Sequence, residues 1–117
     1  MNQSDQSGTL KVVVQVEDTG YGNALPSDFI IKIHNIKDVS NLPNPDFFTG
    51  SKEGTNVSLQ KGTYRIDASA STPRIVGAWY DTKFSGDCIP TGNYQAQVDV
   101  EFNETRTCII TKVYSES

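Results

Sequence analysis

The chain has 117 residues and is poor in the side chains on which most protein chemistry depends, with one His, one Trp, one Met and two Cys. It has no apolar run near the roughly 20 residues that a membrane-spanning helix needs, so no membrane insertion is expected. It also has no basic block, because 10 Lys and Arg stand against 14 Asp and Glu, giving a net charge of -4. Nucleic-acid binding depends on neutralising phosphates with Lys and Arg, so nucleic acid is not an expected partner.

The scarcity of chemically active residues also argues against an enzyme. The single histidine, His34, falls on the polar side of an alternating segment, where a solvent-exposed residue is expected. A catalytic triad requires an imidazole beside a nucleophile and a carboxylate, and no such set is visible in the sequence. The aspartates are scattered through turn segments and match no calcium-loop pattern, so neither a metal nor another cofactor is expected. Three sequons, at Asn2, Asn56 and Asn103, permit N-glycosylation without indicating it.

What the sequence does contain is an alternation of apolar and polar residues with a period of two. In the segment Thr9–Glu17, four apolar residues fall on one side: Leu10, Val12, Val14 and Val16. Similar segments follow at residues 28–34, 55–60, 63–68, 75–84, 94–102 and 106–114, with a short edge-like piece at 47–51. Seven or eight short strands separated by turns predict an all-β fold, an antiparallel β-sandwich.

Length and spacing predict a single domain. Residues 1–8 are predicted to be a disordered polar segment, residues 9–114 the β-sandwich domain, and residues 115–117 a tail. The segments 19–24, 37–46 and 69–73 are predicted to be loops. The polar start lacks the apolar stretch of a signal peptide, so either the protein is cytosolic or the chain is a piece of a longer secreted protein. The second interpretation is preferred because of the cysteines.

Cys88 lies at the end of the segment 84–88, and Cys108 lies within the alternating segment 107–111. Both are close to predicted strands, with no histidine nearby and no Cys-x-x-Cys motif. This placement favours a disulfide between the last strand and an earlier one, which requires an oxidising compartment and therefore an extracellular location. Two small buried thiols are the alternative.

Four aromatic residues are candidate contacts for a sugar or a partner protein: Tyr21, Trp79, Tyr80 and Tyr94. In a sandwich of this size most such side chains belong to the core. Because consecutive residues of a strand point to opposite faces, either Trp79 or Tyr80 must point inward.

Several segments carry, in order, a resemblance to a known family. They are Gly8-Thr9-Leu10-Lys11-Val12, Pro26-Ser27-Asp28-Phe29-Ile30-Ile31, the stretch from Phe48 to Leu59, Lys61-Gly62-Thr63-Tyr64-Arg65-Ile66, Ser85-Gly86-Asp87-Cys88, and the stretch from Glu104 to Thr111. Together they resemble the prealbumin-like, Cna B-type domains of bacterial and archaeal surface proteins over most of residues 8–113. The stretch 89–102 is longer than the family pattern and leaves room for an additional strand or hairpin.

The resemblance implies a sandwich of immunoglobulin-like architecture, which acts in many relatives as a rigid bead of a stalk, pilus or adhesin. Many relatives also carry a self-formed Lys–Asn isopeptide bond, which is promoted by a buried Glu. Here Val14, Ala68 and Lys112 occupy the three positions concerned, so no isopeptide bond is expected. The resemblance then implies that Cys88–Cys108 is the covalent tie instead.

The sequence therefore predicts a non-catalytic structural or adhesive module of an extracellular cell-surface protein, acting as a spacer or docking domain. Its expected partners are the neighbouring domains of a longer surface protein. The alternative is a carbohydrate- or protein-binding module, which would hold a glycan or a surface protein with loops or exposed aromatics at one end of the sandwich. Chain ends at opposite ends of the sandwich favour the spacer, and an exposed aromatic platform favours the binding module.

Overall fold

The computed structural model describes residues 7–17, 24–37, 43, 46–73 and 80–114. Nine strands lie in this part of the chain: β1 (Ser7–Glu17), β2 (Phe29–Asn35), β3 (Phe47–Thr49), β4 (Thr55–Gln60), β5 (Gly62–Ser71), β6 (Tyr80–Gly86), β7 (Ile89–Gly92), β8 (Gln95–Val100) and β9 (Thr105–Tyr114). They form a four-stranded sheet of order β4-β1-β9-β6 and a five-stranded sheet of order β3-β2-β5-β8-β7. The all-β sandwich that the alternation predicts is therefore confirmed.

The first and last strands lie side by side in the middle of the four-stranded sheet. β1 pairs with β9 in parallel, from Thr9 opposite Thr105 to Glu17 opposite Val113. The other pairings of this sheet, β1 with β4 and β6 with β9, are antiparallel. Since β1 and β9 run in the same direction, the chain enters this sheet at Ser7 and leaves it at Tyr114 at opposite ends.

All pairings in the five-stranded sheet are antiparallel. Its outermost strand, β7, forms a hairpin with β8, which is the additional hairpin for which the stretch 89–102 leaves room. β7 contains Pro90, which has no N–H to donate, and an edge strand tolerates such a residue. The other edge strand, β3, is the short edge-like piece expected around residues 47–51.

The core lies between the two sheets and follows the alternation of the sequence. From the four-stranded sheet it takes Leu10, Val12, Val14, Val57, Leu59, Cys108 and Ile110. From the five-stranded sheet it takes Phe29, Ile31, Ile33, Tyr64, Ile66, Ala68, Ala96, Val98 and Val100. The Tyr64 hydroxyl donates to the Gln60 carbonyl at 2.6 Å, so the polar end of this buried ring is satisfied.

Several boundaries differ from the sequence prediction. β1 begins at Ser7 rather than Thr9. The strand predicted to begin at Asp28 begins at Phe29, because Asp28 ends a short 3-10 turn that starts at Pro26. The Asp28 carboxylate is buried there and accepts from Leu25 N at 2.8 Å and from Thr72 Oγ1 at 2.9 Å.

The predicted loop at residues 69–73 is wrong for its first half, since β5 continues to Ser71 by pairing with Phe29 and Ile30 of β2. β6 begins at Tyr80, and the preceding part of the predicted strand 75–84 lies outside the described residues, up to residue 79. The predicted loops 19–24 and 37–46 lie mostly outside them as well, as do residues 1–6 and 115–117.

Candidate functional site

Cys88 and Cys108 form a disulfide, with their Cα atoms 5.1 Å apart. Cys108 lies in the middle of β9, and Cys88 follows the end of β6, the neighbouring strand. Both side chains are buried in the core. The bond therefore closes the segment that contains β7 and β8 and ties it to the strand that pairs with β1.

The residues just before Cys88 hold its backbone in the position that this bond requires. Gly86 has φ +77°, and a Cβ atom at this position would lie 2.5 Å from the Thr107 carbonyl oxygen. The next residue, Asp87, donates its N–H to that same carbonyl at 2.7 Å. Its carboxylate in turn accepts from Thr107 N at 2.9 Å. Only glycine fits the first of these two positions without strain.

Lys112 is the most unusual residue of the core, because its side chain points inward from β9 and is only 3% exposed. The Nζ atom donates to the Ala68 carbonyl on β5 and to Thr82 Oγ1 on β6, the latter at 2.6 Å. It lies 5.1 Å from the ring centroid of Phe29 and 5.4 Å from that of Tyr94. Two carbonyl or hydroxyl acceptors and two aromatic faces thus surround the ammonium group.

No carboxylate of the described residues forms an ion pair with Lys112. Burial lowers the pKa of its ammonium group to about 8, and Asp67 opposes this effect electrostatically. Asp67 lies on the outer face of the five-stranded sheet, since its neighbours Ile66 and Ala68 point inward. Although partial burial opposes it, hydrogen bonds from Ser69 hold the pKa of Asp67 below its ordinary value.

The resemblance to Cna B-type domains places Lys112 at the final-strand position of their isopeptide bond, but it implies neither the burial of this side chain nor its partners. The signal was present, because Cys108, Ile110 and Lys112 alternate on the inward side of one strand. The contact between Nζ and the Ala68 carbonyl shows that positions 68 and 112 face each other across the sandwich. Val14, the third position, is likewise fully buried.

The structure separates the two described members of the predicted aromatic set. Tyr80 is 9% exposed and belongs to the core, where its ring packs edge-on against Phe29 at 5.3 Å and Tyr114 at 5.4 Å. Tyr94, in the turn between β7 and β8, is 42% exposed. Tyr21 and Trp79 lie outside the described residues. Of the two described rings, Tyr94 is therefore the one that is available for a contact at the surface.

The remaining candidates for chemistry are few. His34 is exposed on the outer side of β2, opposite Arg65 of β5. Within the described residues, no group of three or more His, Cys, Asp or Glu side chains is placed to hold a metal ion. The same residues include no helix that is long and apolar enough to cross a membrane. Among the described side chains, Lys112, the disulfide and the buried Asp28 carboxylate are thus features with a distinctive chemical environment.

The chain matches no protein-family model and no curated protein. It is similar in structure to a bacterial adhesin from Mobiluncus mulieris that contains intramolecular disulfide, isopeptide and ester bond cross-links. Two crystal forms of that adhesin align with TM-scores of 0.69 and 0.68, at 16% and 15% sequence identity. Each alignment covers 93% of this chain and 42% of the adhesin chain, so this chain spans less than half of the length of that protein. At this identity the similarity establishes the fold.

Proposed function

We propose that this chain is a non-catalytic structural and adhesive module of an extracellular surface protein, and that it acts as a load-bearing spacer or docking domain between neighbouring domains. The observation that carries the proposal is the parallel pairing of β1 with β9 in the middle of one sheet. With β1 being 11 residues long, the points where the chain enters and leaves the sheet are separated by about 35 Å along the strands.

This arrangement suits a domain that is pulled from both ends. A force applied at Ser7 and at Tyr114 draws two adjacent parallel strands in opposite directions along their length. The hydrogen bonds of the whole β1–β9 ladder, nine residue pairs long, then resist together rather than opening one at a time. A spacer in a surface stalk requires this kind of resistance.

The disulfide supports the same function and an extracellular location. It joins β9 to the end of β6 and needs an oxidising compartment to form and persist. The adhesin that contains a domain of similar structure carries disulfide, isopeptide and ester cross-links, so covalent ties occur in a surface protein that includes this fold. In this chain the tie is Cys88–Cys108.

Single-molecule force spectroscopy tests the proposal. The chain is placed between two reference domains of known unfolding force and pulled in the oxidised and the reduced state. We expect one cooperative unfolding event at a force comparable with other sheared β-domains. Because the disulfide withholds a segment with a sequence separation of 20 residues, the length released should be shorter by roughly 65 Å in the oxidised state.

Unfolding at low force through gradual peeling of strands would contradict the spacer function. A handle pair attached at Ser7 and at Gln60 provides the matched control. These residues are direct partners in the antiparallel β1–β4 pair, so a force there opens the ladder from one end. The unfolding force should then be clearly lower than for the pull from Ser7 and Tyr114.

A further inference from the structure

A cleft of about 390 Å³ opens at the side of the sandwich between β6 and the β7–β8 turn. We call it the side slot; its walls are Asp81, Thr82, Lys83, Gly92, Asn93 and Tyr94. Its volume falls within the roughly 300–1,000 Å³ range of small-molecule sites. The turn that forms one wall is anchored to the five-stranded sheet, because Ala68 N donates to the Tyr94 carbonyl at 2.8 Å.

Lys112 lies directly behind the walls of the side slot. Thr82 and Tyr94, which line it, are also two of the groups that contact the Lys112 ammonium. The Thr82 hydroxyl accepts a hydrogen bond from Nζ, so its own proton is left to be donated to another acceptor. A hydroxyl polarised in this way by a cation is a strong donor to an anion.

The charges around the slot are unbalanced in favour of an anion. Asp81 and Lys83 on its rim cancel formally, and behind them lies the buried Lys112 ammonium. Asp67 acts on this ammonium electrostatically, but from the outer face of the five-stranded sheet and without a direct ion pair, so the positive charge is not neutralised on the side of the slot. A buried ammonium is normally compensated by a carboxylate, and Lys112 has no such ion pair among the described residues. An incoming carboxylate would supply the missing charge.

We propose that the side slot is a binding site for the carboxylate of a small organic acid. The Thr82 hydroxyl donates to the carboxylate, the Lys112 ammonium behind it supplies the positive charge, and the half-exposed Tyr94 ring covers the bound molecule. The acid is either a free carboxylate or a carboxylate carried on a sugar, since both present the same group. This inference goes beyond the spacer function and does not depend on it.

The experiment compares three probes at equal ionic strength: acetate, glucuronate and glucose. Glucuronate and glucose share a ring and differ in the carboxylate. Binding is followed by the melting temperature and by amide NMR shifts of the full chain. We expect saturable binding of at least one of the two acids, shifts concentrated at Thr82 and Tyr94, and no effect of glucose. Acetate and glucuronate together distinguish a free acid from a sugar acid.

Three variants locate the site. Lys112→Met keeps most of the length of the side chain without its charge, and Thr82→Val keeps the shape of the side chain without the hydroxyl. Each should weaken binding by about tenfold or more, because the hydrogen bond to the carboxylate loses either its donor or the charge that strengthens it. Lys11→Met removes an exposed charge from the outer face of β1 and should leave the affinity unchanged.

The proposal would be overturned if Lys112→Met bound the acids as tightly as the wild type, or if Lys11→Met weakened binding as much as Lys112→Met does. Equal effects of glucuronate and glucose would overturn it as well. The absence of any saturable shift with both acids would overturn it too. None of these outcomes alters the force at which the β1–β9 ladder separates, so the spacer function stands or falls separately.

Discussion

Lys112 places an amine where the surrounding positions of the sandwich hold apolar side chains. A pKa lowered from 10.5 to about 8 means that folding disfavours the charged form of this lysine, relative to the neutral form, by roughly 3 kcal/mol. Near neutral pH the side chain is nevertheless mostly charged, so the folded state carries most of this cost. The two hydrogen bonds and the aromatic faces around Nζ offset a part of it.

We therefore expect Lys112→Met to stabilise the protein at pH 7 by about 1–3 kcal/mol, since a thioether needs no solvation. The pH dependence has a definite sign. Between pH 8 and 10.5 the unfolded chain binds more protons at this lysine than the folded chain, so the stability of the wild type rises with pH. The advantage of the variant should shrink across this window.

Urea denaturation of both proteins between pH 7 and pH 10.5 checks this expectation. The contributions of the other titrating groups cancel when the free energy of unfolding of the wild type is subtracted from that of the variant. Lys11→Met is the matched control, because it removes an exposed lysine of the same sheet. It should change the stability by no more than about 0.5 kcal/mol at any pH. A variant at position 112 that is less stable than the wild type at pH 7 would show that the ammonium is a net stabilising group.

The residues at the three positions where many Cna B-type domains carry an isopeptide bond also predict the intact mass of this protein. Val14 has no amine, Ala68 has no carboxyl group, and Lys112 brings an amine where an amide would be needed. We expect the intact mass under reducing conditions to equal the mass calculated from the sequence. A mass lower by one ammonia or one water would reveal a cross-link and would show that other residues form it.

At the scale of the strands and their connections, the segment between β6 and β7 is tightly constrained. Gly86 adopts a left-handed conformation beside the Thr107 carbonyl, and the disulfide begins two residues later. Reduction should lower the free energy of unfolding by about 3 kcal/mol, the entropy of closing a loop of this size. The reduced protein should accordingly melt several degrees below the oxidised one.

Gly86→Ala separates the backbone requirement from the covalent bond. The new Cβ atom would clash with a backbone carbonyl in a strained conformation, and we expect a loss of about 1–3 kcal/mol. Gly92→Ala is the matched control, because the nearest atom to a Cβ there, Gln95 Oε1, lies 3.8 Å away. It should be nearly neutral in thermal denaturation. Equal effects of the two changes would mean that the conformation at Gly86 is not a constraint.

The sequence predicted where the strands lie better than it predicted which strands pair with one another. The inward sides of β1, β2 and β4 follow directly from a period of two, because burial on one face is a local property of the residues. That β1 lies beside β9, and in parallel, depends on contacts between residues about a hundred positions apart, and no local pattern encodes it. β5 was predicted too short because its last residues, Ala70 and Ser71, are in a strand through their partners on β2.

The candidate site was predictable only in part. The placement of Cys88 and Cys108 near predicted strands was enough to favour the bond between them. The alternation of β9 places Lys112 on the inward side, against the usual preference of lysine for solvent. The acceptors of its ammonium group, Thr82 and Ala68, lie on facing sheets and follow only from the three-dimensional structure. Tyr80 and Tyr94 could not be assigned to core and surface from composition, since their positions depend on where β6 begins and where the β7–β8 turn lies.

The whole molecule joins two properties that serve different purposes. In the proposed function, the four-stranded sheet, which the chain enters at Ser7 and leaves at Tyr114, would resist extension through β1 and β9. The five-stranded sheet ends in the β7–β8 hairpin, which closes over the buried amine and leaves an opening beside β6. A spacer that also holds a small acid would do so away from the two strands that bear the load, apart from the single side chain that β9 contributes.

The disulfide also has a consequence for how the protein withstands proteases. The segment between Cys88 and Cys108 contains two exposed aromatic residues, Tyr94 and Phe102, at turns that a chymotrypsin-like protease can attack. A single cut at either turn leaves both fragments joined through the sulfur atoms, and β8 stays paired with β5. The nicked protein would migrate as two pieces only after reduction. A stalk built from such domains would stay covalently continuous after a proteolytic cut that would divide a chain without this disulfide.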